Sequence, residues 1–305
     1  MTILTKGTAA FYSRSTAQMA GLRRDAERLQ QQIATGNRLE VSSDDPVAAS
    51  RLRNLARQDR MAAIDGKNAE LSGAALRGAD QMLSTIADAL IRTRELAVQA
   101  ANGTLSDAQR MLIGEELSQM HTGLLASANA RGSDGRPLFS GQSDGPAYTL
   151  DAAGNAVYSG TATSATVNLG EGISVTRGVT GPEIFNFNHQ GTGADTLSLV
   201  KGLADALKGA SADPAAAARA ALGGLDGALE SLTRAQTSIG VRVAWVETVQ
   251  DRQIVTSQDR AQQTADTGGV DLASTITQLQ QMLTVLEASQ ASFVRIGQLS
   301  LFNAI

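Results

Sequence analysis

The sequence predicts a mainly α protein, an elongated helical bundle with paired N- and C-terminal coiled-coil helices and a small β-rich insertion. Three observations carry this prediction. Apolar residues recur at heptad spacing near both ends, long capped segments with one apolar stripe flank the middle, and the stretch from about 131 to 195 is rich in Gly, Ser, Thr, Asn and Asp with short β-prone runs.

At the start, Met19, Leu22, Ala26, Leu29 and Ile33 alternate spacings of three and four residues. At the end, Leu272, Ile276, Leu279, Leu283, Leu286 and Phe293 keep the same rhythm, with Gln290 as one polar interruption. That alternation sets a single apolar seam along a helix, as coiled-coil packing requires. About 240 residues separate the two seams, so the chain is expected to fold back and pair its ends.

The first helix is expected from about residue 8 to 35, closed by Gly36. Asp45-Pro46 then supplies an N-cap acceptor before a residue suited to the first helical position. The helix it starts should reach about residue 101, with a break near Gly66 and a stripe of Leu76, Ala79, Leu83, Ile86 and Leu90. Asn102-Gly103-Thr104 ends it, and Ser106 with Gln109 forms a capping box for a third helix to about Ala130, with Leu112, Leu117, Met120 and Leu124 apolar. Two hairpins follow, Ala147–Leu150 with Ala156–Tyr158 and Thr166–Leu169 with Ile173–Val175.

Helix returns near Leu197 and restarts at Asp213-Pro214. From there Leu222, Leu225, Leu229, Leu232, Ile239, Val243 and Val246 continue a heptad register with Gln236 as its gap. Gly268-Gly269 reads as a hinge, and Asp271 caps the terminal helix. Between Leu272 and Ile305 the only charged side chains are Glu287 and Arg295. A solvent-facing helix normally carries many more charges, so this one is expected to be surrounded by other helices, where amides pair and ions are costly.

Composition narrows the function. Aromatic residues are 3% of the chain and cysteine is absent, which removes disulfides, thiolate metal sites and thiol nucleophiles. A net charge of −4 gives no reason to expect nucleic acid or an anionic membrane as partner. No apolar run approaches the roughly 20 residues of a membrane span, and Met1–Lys6 lacks the apolar region of a secretory signal. Export, if it occurs, is expected without a cleaved signal peptide.

The chemistry-bearing residues read as structural. Asp44 and Asp45 serve a turn and a cap before Pro46. His121 and His189 stand outside any metal or triad pattern. The glycines of 131–193 lack a Walker or dinucleotide-binding context, and Arg23, Arg24 and Arg28 form a solvated helix face. No enzyme activity, metal or cofactor is expected. A coiled-coil signalling or secreted interaction protein is the rival outside any family, but its seam would be edged by charges that the terminal helix lacks.

Several runs resemble the flagellin superfamily. They are Gln32-Ile33-Ala34-Thr35-Gly36-Asn37-Arg38-Leu39 with Ser43-Asp44-Asp45-Pro46-Val47-Ala48-Ala49-Ser50, the stretch from Arg94 to Thr104, and Leu299-Ser300-Leu301-Phe302-Asn303. The Ser-Asp-Asp-Pro form is closer to the junction branch of that superfamily than to filament-forming members. Pro137-Leu138-Phe139-Ser140-Gly141, Gly172–Val175 and Gly181-Pro182-Glu183-Ile184-Phe185 point the same way. Ala304 departs from the pattern, where an aromatic is common.

The resemblance implies a subunit exported unfolded through the flagellar type III apparatus, extracellular on the flagellum at the hook–filament junction. It implies an inner core of coiled-coil helices (1–42 and 268–305), a helical stem (43–135 and 196–267) and a β-rich outer insertion (136–195). The implied partners are neighbouring copies of the chain, another hook-associated protein on the hook side, flagellin on the filament side, and an export chaperone at the C-terminal helix. The assembly residues expected are the two seams with Leu301 and Phe302, and Gly36, Asp44, Asp45 and Pro46 as motif and cap. A short flagellin, forming the filament itself, is the rival within the family.

Overall fold

The structure, a computed structural model, describes residues 2–189 and 191–302, with side chains described for 10–189 and 191–295. Helix α1 spans Thr2–Thr35, α2 Pro46–Ala100 and α3 Asp107–Ala128. Strands β1 (Tyr148–Leu150) and β2 (Ala156–Tyr158) form one antiparallel hairpin, and β3 (Thr166–Gly170) with β4 (Ile173–Thr176) a second. A short helix α4 (Gly181–Phe185) leads into a third hairpin, β5 (Asn186–His189) with β6 (Thr192–Asp195). Helix α5 (Thr196–Asp205) runs into a π-helical turn at Ala206–Ala210, and α6 (Pro214–Gly268) and α7 (Leu272–Phe302) complete the chain.

Two compact units result, one of Met1–Arg60 with Thr256–Ile305 and one of Met61–Val255. In the larger unit the stripe of α2 is fully used: Leu76, Leu83 and Ile86 are wholly buried, and Ala79 and Leu90 nearly so. They meet Leu225, Leu232, Ile239 and Val246 of α6, which recur every seven residues and are likewise buried. Arg77–Glu247 (3.7 Å) and Arg94–Asp226 (2.6 Å) bridge the same two helices in opposite chain order, so α2 and α6 run antiparallel. These pairs are solvent-exposed and set register more than stability.

The break expected near Gly66 is absent; α2 is continuous through it. In α3 the capping box forms as expected, with the Gln109 N–H donating to Ser106 Oγ and the Ser106 N–H to Gln109 Oε1. Its apolar face is shifted from the expected one: Ile113 and Leu117 are buried while Leu112 is 71% exposed. A contiguous Met-Leu-Ile run offers two phases of the helical period, and packing selects the one containing Ile113.

Arg110 is buried beneath the α2–α3 turn. Its Nε donates to the Ala100 carbonyl at 3.2 Å and its Nη2 to the Asn102 carbonyl at 3.0 Å, with Asp107 Oδ1 at 3.1 Å. One charged group thus caps the orphan carbonyls at the C-terminus of α2.

The irregular stretch folds onto the helices of its own unit. The Asn129 side chain pairs with both main-chain polar groups of Tyr148. Gln253 Nε2 donates to the Leu169 carbonyl at 2.7 Å, and Asn68 Nδ2 to the Asn168 carbonyl at 3.1 Å. Phe187 of β5 lies against α6 where a Cβ on Gly227 would stand 2.9 Å from its ring, so only glycine allows that approach.

Leu83→Ala should therefore cost about 2–5 kcal/mol, the usual range for emptying a buried leucine site. Chemical denaturation followed by circular dichroism checks this; a change below the range would mean the α2 stripe is not the core of its unit.

Candidate functional site

The smaller unit pairs α1 with α7 through a clasp of main-chain bonds. Gly36 takes φ +71°, the left-handed conformation that ends a helix, and its N–H donates to Gln32 O at 2.9 Å. Its carbonyl then accepts from the Val270 N–H at 3.0 Å, while the Arg38 N–H donates to the Gly268 carbonyl at 2.8 Å. Asn37 and Gly269 form an antiparallel bridge between these bonds. The predicted Gly268-Gly269 hinge is half of a fastening whose other half is Gly36 to Arg38.

Side chains reinforce it. Gln32 Nε2 donates to the Arg38 carbonyl at 2.7 Å. Arg38 Nη2 reaches the Thr267 carbonyl at 3.1 Å and Asp45 Oδ2 at 3.3 Å. Asp45 Oδ1 accepts from the Ala48 N–H at 3.0 Å, the N-cap expected before Pro46. Asp44 Oδ2 accepts from the Glu40 and Val41 N–H groups at 3.0 Å each. Donation from Val41 and then Glu40 lowers the Asp44 pKa below its ordinary value; donation from Ala48, with Arg38 adding to it, lowers that of Asp45.

From the clasp the helices run antiparallel. Tyr12 and Phe293 stack edge to face with centroids 5.1 Å apart, and each lies about 24 residues, or roughly 36 Å of helix, from the clasp. On α1 the shielded positions are Tyr12, Ser15, Met19, Leu22, Ala26, Leu29 and Ile33, an unbroken alternation of three and four; Ala26 and Leu29 are the most buried. All five predicted α1 seam residues lie on this face.

On α7 the shielded series is Thr275, Leu279, Met282, Leu286, Ser289 and Phe293. Leu279, Leu286 and Phe293 belong to the predicted seam. Leu272, Ile276 and Leu283 do not join it and are 49%, 42% and 38% exposed. Thr275, Met282 and Ser289 take the inward positions instead. Only Met282 carried an apolar signal in the sequence; the threonine and serine gave none.

The result is a helix with two adjacent edges, one against α1 and one uncovered in the single chain. Val285 and Val294 add to the exposed apolar surface, and an open groove of about 620 Å³ lies between α1 and α7, lined by Phe11, Met19, Leu22, Val285 and Phe293. The α7 backbone extends to Phe302, but the side chains of Leu301 and Phe302 lie outside those described. Among the described residues no helix is long and apolar enough to cross a membrane, and no cluster of His, Asp and Glu could hold a metal ion.

The two histidines belong to the larger unit. The His121 ring on α3 has its Nε2 buried without a hydrogen-bond partner among the described residues, and burial, with Lys201 nearby, lowers its pKa. His189 packs over Gly223 of α6.

The family model for the bacterial flagellin N-terminal helical region matches residues 8–144. Over 289 residues the chain is 27% identical to flagellar hook-associated protein 3 of Escherichia coli, covering 90% of each chain. Flagellin E of Vibrio cholerae is 29% identical over 112 residues, 37% of this chain and 30% of that one. A solved flagellar hook-associated protein of Vibrio parahaemolyticus superposes with TM-score 0.67 at 24% identity, covering 74% of this chain and 100% of that one. Hook-associated protein 3 of Legionella pneumophila gives TM-score 0.64 at 17% identity, covering 70% and 98%.

The chain is thus similar to the flagellin superfamily, whose N-terminal helical region it matches over residues 8–144. Its likeness to hook-associated protein 3 of Escherichia coli covers 90% of the chain, and its likeness to flagellin E of Vibrio cholerae covers 37%.

The clasp carboxylates give a pH test. Folding lowers both pKa values, so their contribution is complete above about pH 4, the unfolded carboxyl range, and is lost as pH falls through the lower folded values. Asp45→Asn keeps an N-cap acceptor but loses the charge; its melting temperature should fall below wild type at neutral pH and converge with it in acid. Asp45→Ala should lie below Asp45→Asn at neutral pH. A gap between wild type and Asp45→Asn that does not change with pH would contradict this role.

Proposed function

We propose that the chain is a structural subunit of the bacterial flagellum, the junction between hook and filament and a platform on which flagellin assembles. One observation carries the assembly role: α7 exposes Leu272, Ile276 and Leu283 beside the edge it buries against α1. Likeness to hook-associated protein 3 over 90% of the chain, against likeness to flagellin E over 37%, favours the junction over a filament subunit.

The physical sequence is short. An uncovered edge of isobutyl and sec-butyl groups gains about 25 cal/mol for every Å² that a neighbour removes from water. Contacts that join unlike surfaces of successive copies propagate as a ring or helix instead of stopping at a dimer. The almost uncharged face of α7 is suited to such surroundings, because Gln, Ser and Thr pair with one another at less desolvation cost than ions.

The remaining elements of the proposal rest on family likeness. Neighbouring copies cover the 1–42 and 268–305 segments, a second hook-associated protein lies on the hook side, flagellin follows on the filament side, and a chaperone holds the C-terminal helix until export. The protein then acts outside the cell on the flagellum after leaving without a cleaved signal, and it needs no cofactor.

Leu283→Asp tests the edge. The side chain is exposed in the single chain, so stability should change by no more than about 0.5 kcal/mol, while a deletion strain supplied with this variant should fail to build filaments. Normal filaments from the variant would refute the proposed interface. For the junction reading, deletion of the gene should leave hooks without filaments and flagellin in the medium, seen by electron microscopy and immunoblotting. Intact filaments in the deletion strain would refute the junction role, and hooks still bearing their junction zone but lacking only the filament shaft would favour the short-flagellin reading.

A further inference from the structure

Asn102-Gly103 is the one Asn-Gly pair in the sequence. It lies in the turn between α2 and α3, and Asn102, Gly103 and Thr104 are all exposed. The Asn102 side-chain carbonyl is held from two directions: Oδ1 accepts from the Thr104 N–H at 3.1 Å and from the Thr104 hydroxyl at 3.0 Å. Its main chain is also anchored, with the N–H donating to Gln99 O at 3.1 Å and the carbonyl accepting from Arg110 Nη2 at 3.0 Å. A Cβ built at Gly103 would meet nothing within 4 Å, so space beside the main chain is open.

These contacts have a chemical consequence. Two donors on a carbonyl oxygen draw electron density from its carbon and stabilise the negative charge that develops there on nucleophilic attack, the logic of an oxyanion hole. The nearest main-chain nucleophile is the nitrogen of Gly103, an exposed residue that has no side chain of its own.

We infer that Asn102-Gly103 is a site of self-modification, at which the folded turn promotes succinimide formation and conversion of Asn102 to aspartate and isoaspartate. Water or hydroxide takes the Gly103 amide proton, and the nitrogen forms a bond to Asn102 Cγ. The Cγ–Nδ2 bond breaks, and Nδ2 leaves as ammonia after taking up a proton from water. A water molecule then opens the five-membered ring at either carbonyl. The balance is one water consumed and one ammonia released, with no oxidation or reduction. Opening at the main-chain carbonyl leaves isoaspartate, with an extra methylene in the backbone. That displaces the carbonyl which Arg110 caps, so the modification acts on the α2–α3 turn.

The test uses the full-length folded protein, incubated at physiological temperature and mildly alkaline pH. Peptide mass spectrometry follows a gain of about one mass unit at residue 102, with isoaspartate separated by chromatography. The folded chain should convert at least as fast as the same chain in urea. Thr104→Val, which removes one donor, should slow conversion several-fold in the folded state and not in urea, and Thr104→Ser should restore the rate. Circular dichroism confirms that each variant is folded. A folded chain that stays unconverted while the urea-treated chain reacts would overturn the inference, as would a Thr104→Val rate equal to wild type.

Discussion

The pairing of the two chain ends depends on a few main-chain hydrogen bonds between residues 36–38 and 268–270. Gly36 is the only residue type that turns the chain there at no steric cost, and the Gly36–Val270 and Arg38–Gly268 bonds then fix where α1 stops and α7 starts. Because the helices leave the clasp antiparallel, this fixed point sets the register of the whole seam. Tyr12 meets Phe293, and the small residues Ala26 and Thr275 are buried. Arg38 ties the arrangement to the next element by touching both the Thr267 carbonyl and the Asp45 carboxylate.

Given that register, the face of α7 is divided. Packing on α1 uses Thr275, Met282 and Ser289 together with Leu279, Leu286 and Phe293, and this leaves Leu272, Ile276 and Leu283 on an adjacent exposed edge. A helix meant to remain half in water would carry charges there. The α1–α7 pair shields its seam only partly, so its stability as an isolated two-helix element is low compared with the unit of α2, α3, α5 and α6, whose core residues Leu76, Leu83, Leu117 and Leu225 are wholly buried. In the proposed assembly, low local stability and an uncovered apolar edge belong together, because ordering and assembly would be completed in one step.

Much of this was legible in the residues. The α1 seam, the Asp45 cap, the Ser106–Gln109 box and the buried stripe of α2 all follow from local rules, because each signal involves side chains that have one good use. The split of α7 was not legible, since Thr275 and Ser289 have no apolar signature and only the register imposed by the clasp turns them inward. The inward phase of α3 is not legible, because adjacent Met111, Leu112 and Ile113 leave the helical period open. The third hairpin and α4 are not legible either: Asn186–Asp195 lacks a hydrophobic alternation, and Phe187 and His189 are housed by Gly223, Gly224 and Gly227 of α6, which no local signal marks as their neighbours. The burial of Arg110 depends on carbonyls that only a folded helix end presents.

The central claim is that the terminal helices acquire full protection only when other copies cover them. Hydrogen exchange followed by mass spectrometry on the isolated chain and on assembled flagellar material tests it most directly. Amides of residues 10–33 and 272–295 should exchange far faster than those of residues 76–90 in the isolated chain and become strongly protected after assembly. Uniformly slow exchange across residues 10–33 in the isolated chain would contradict the account.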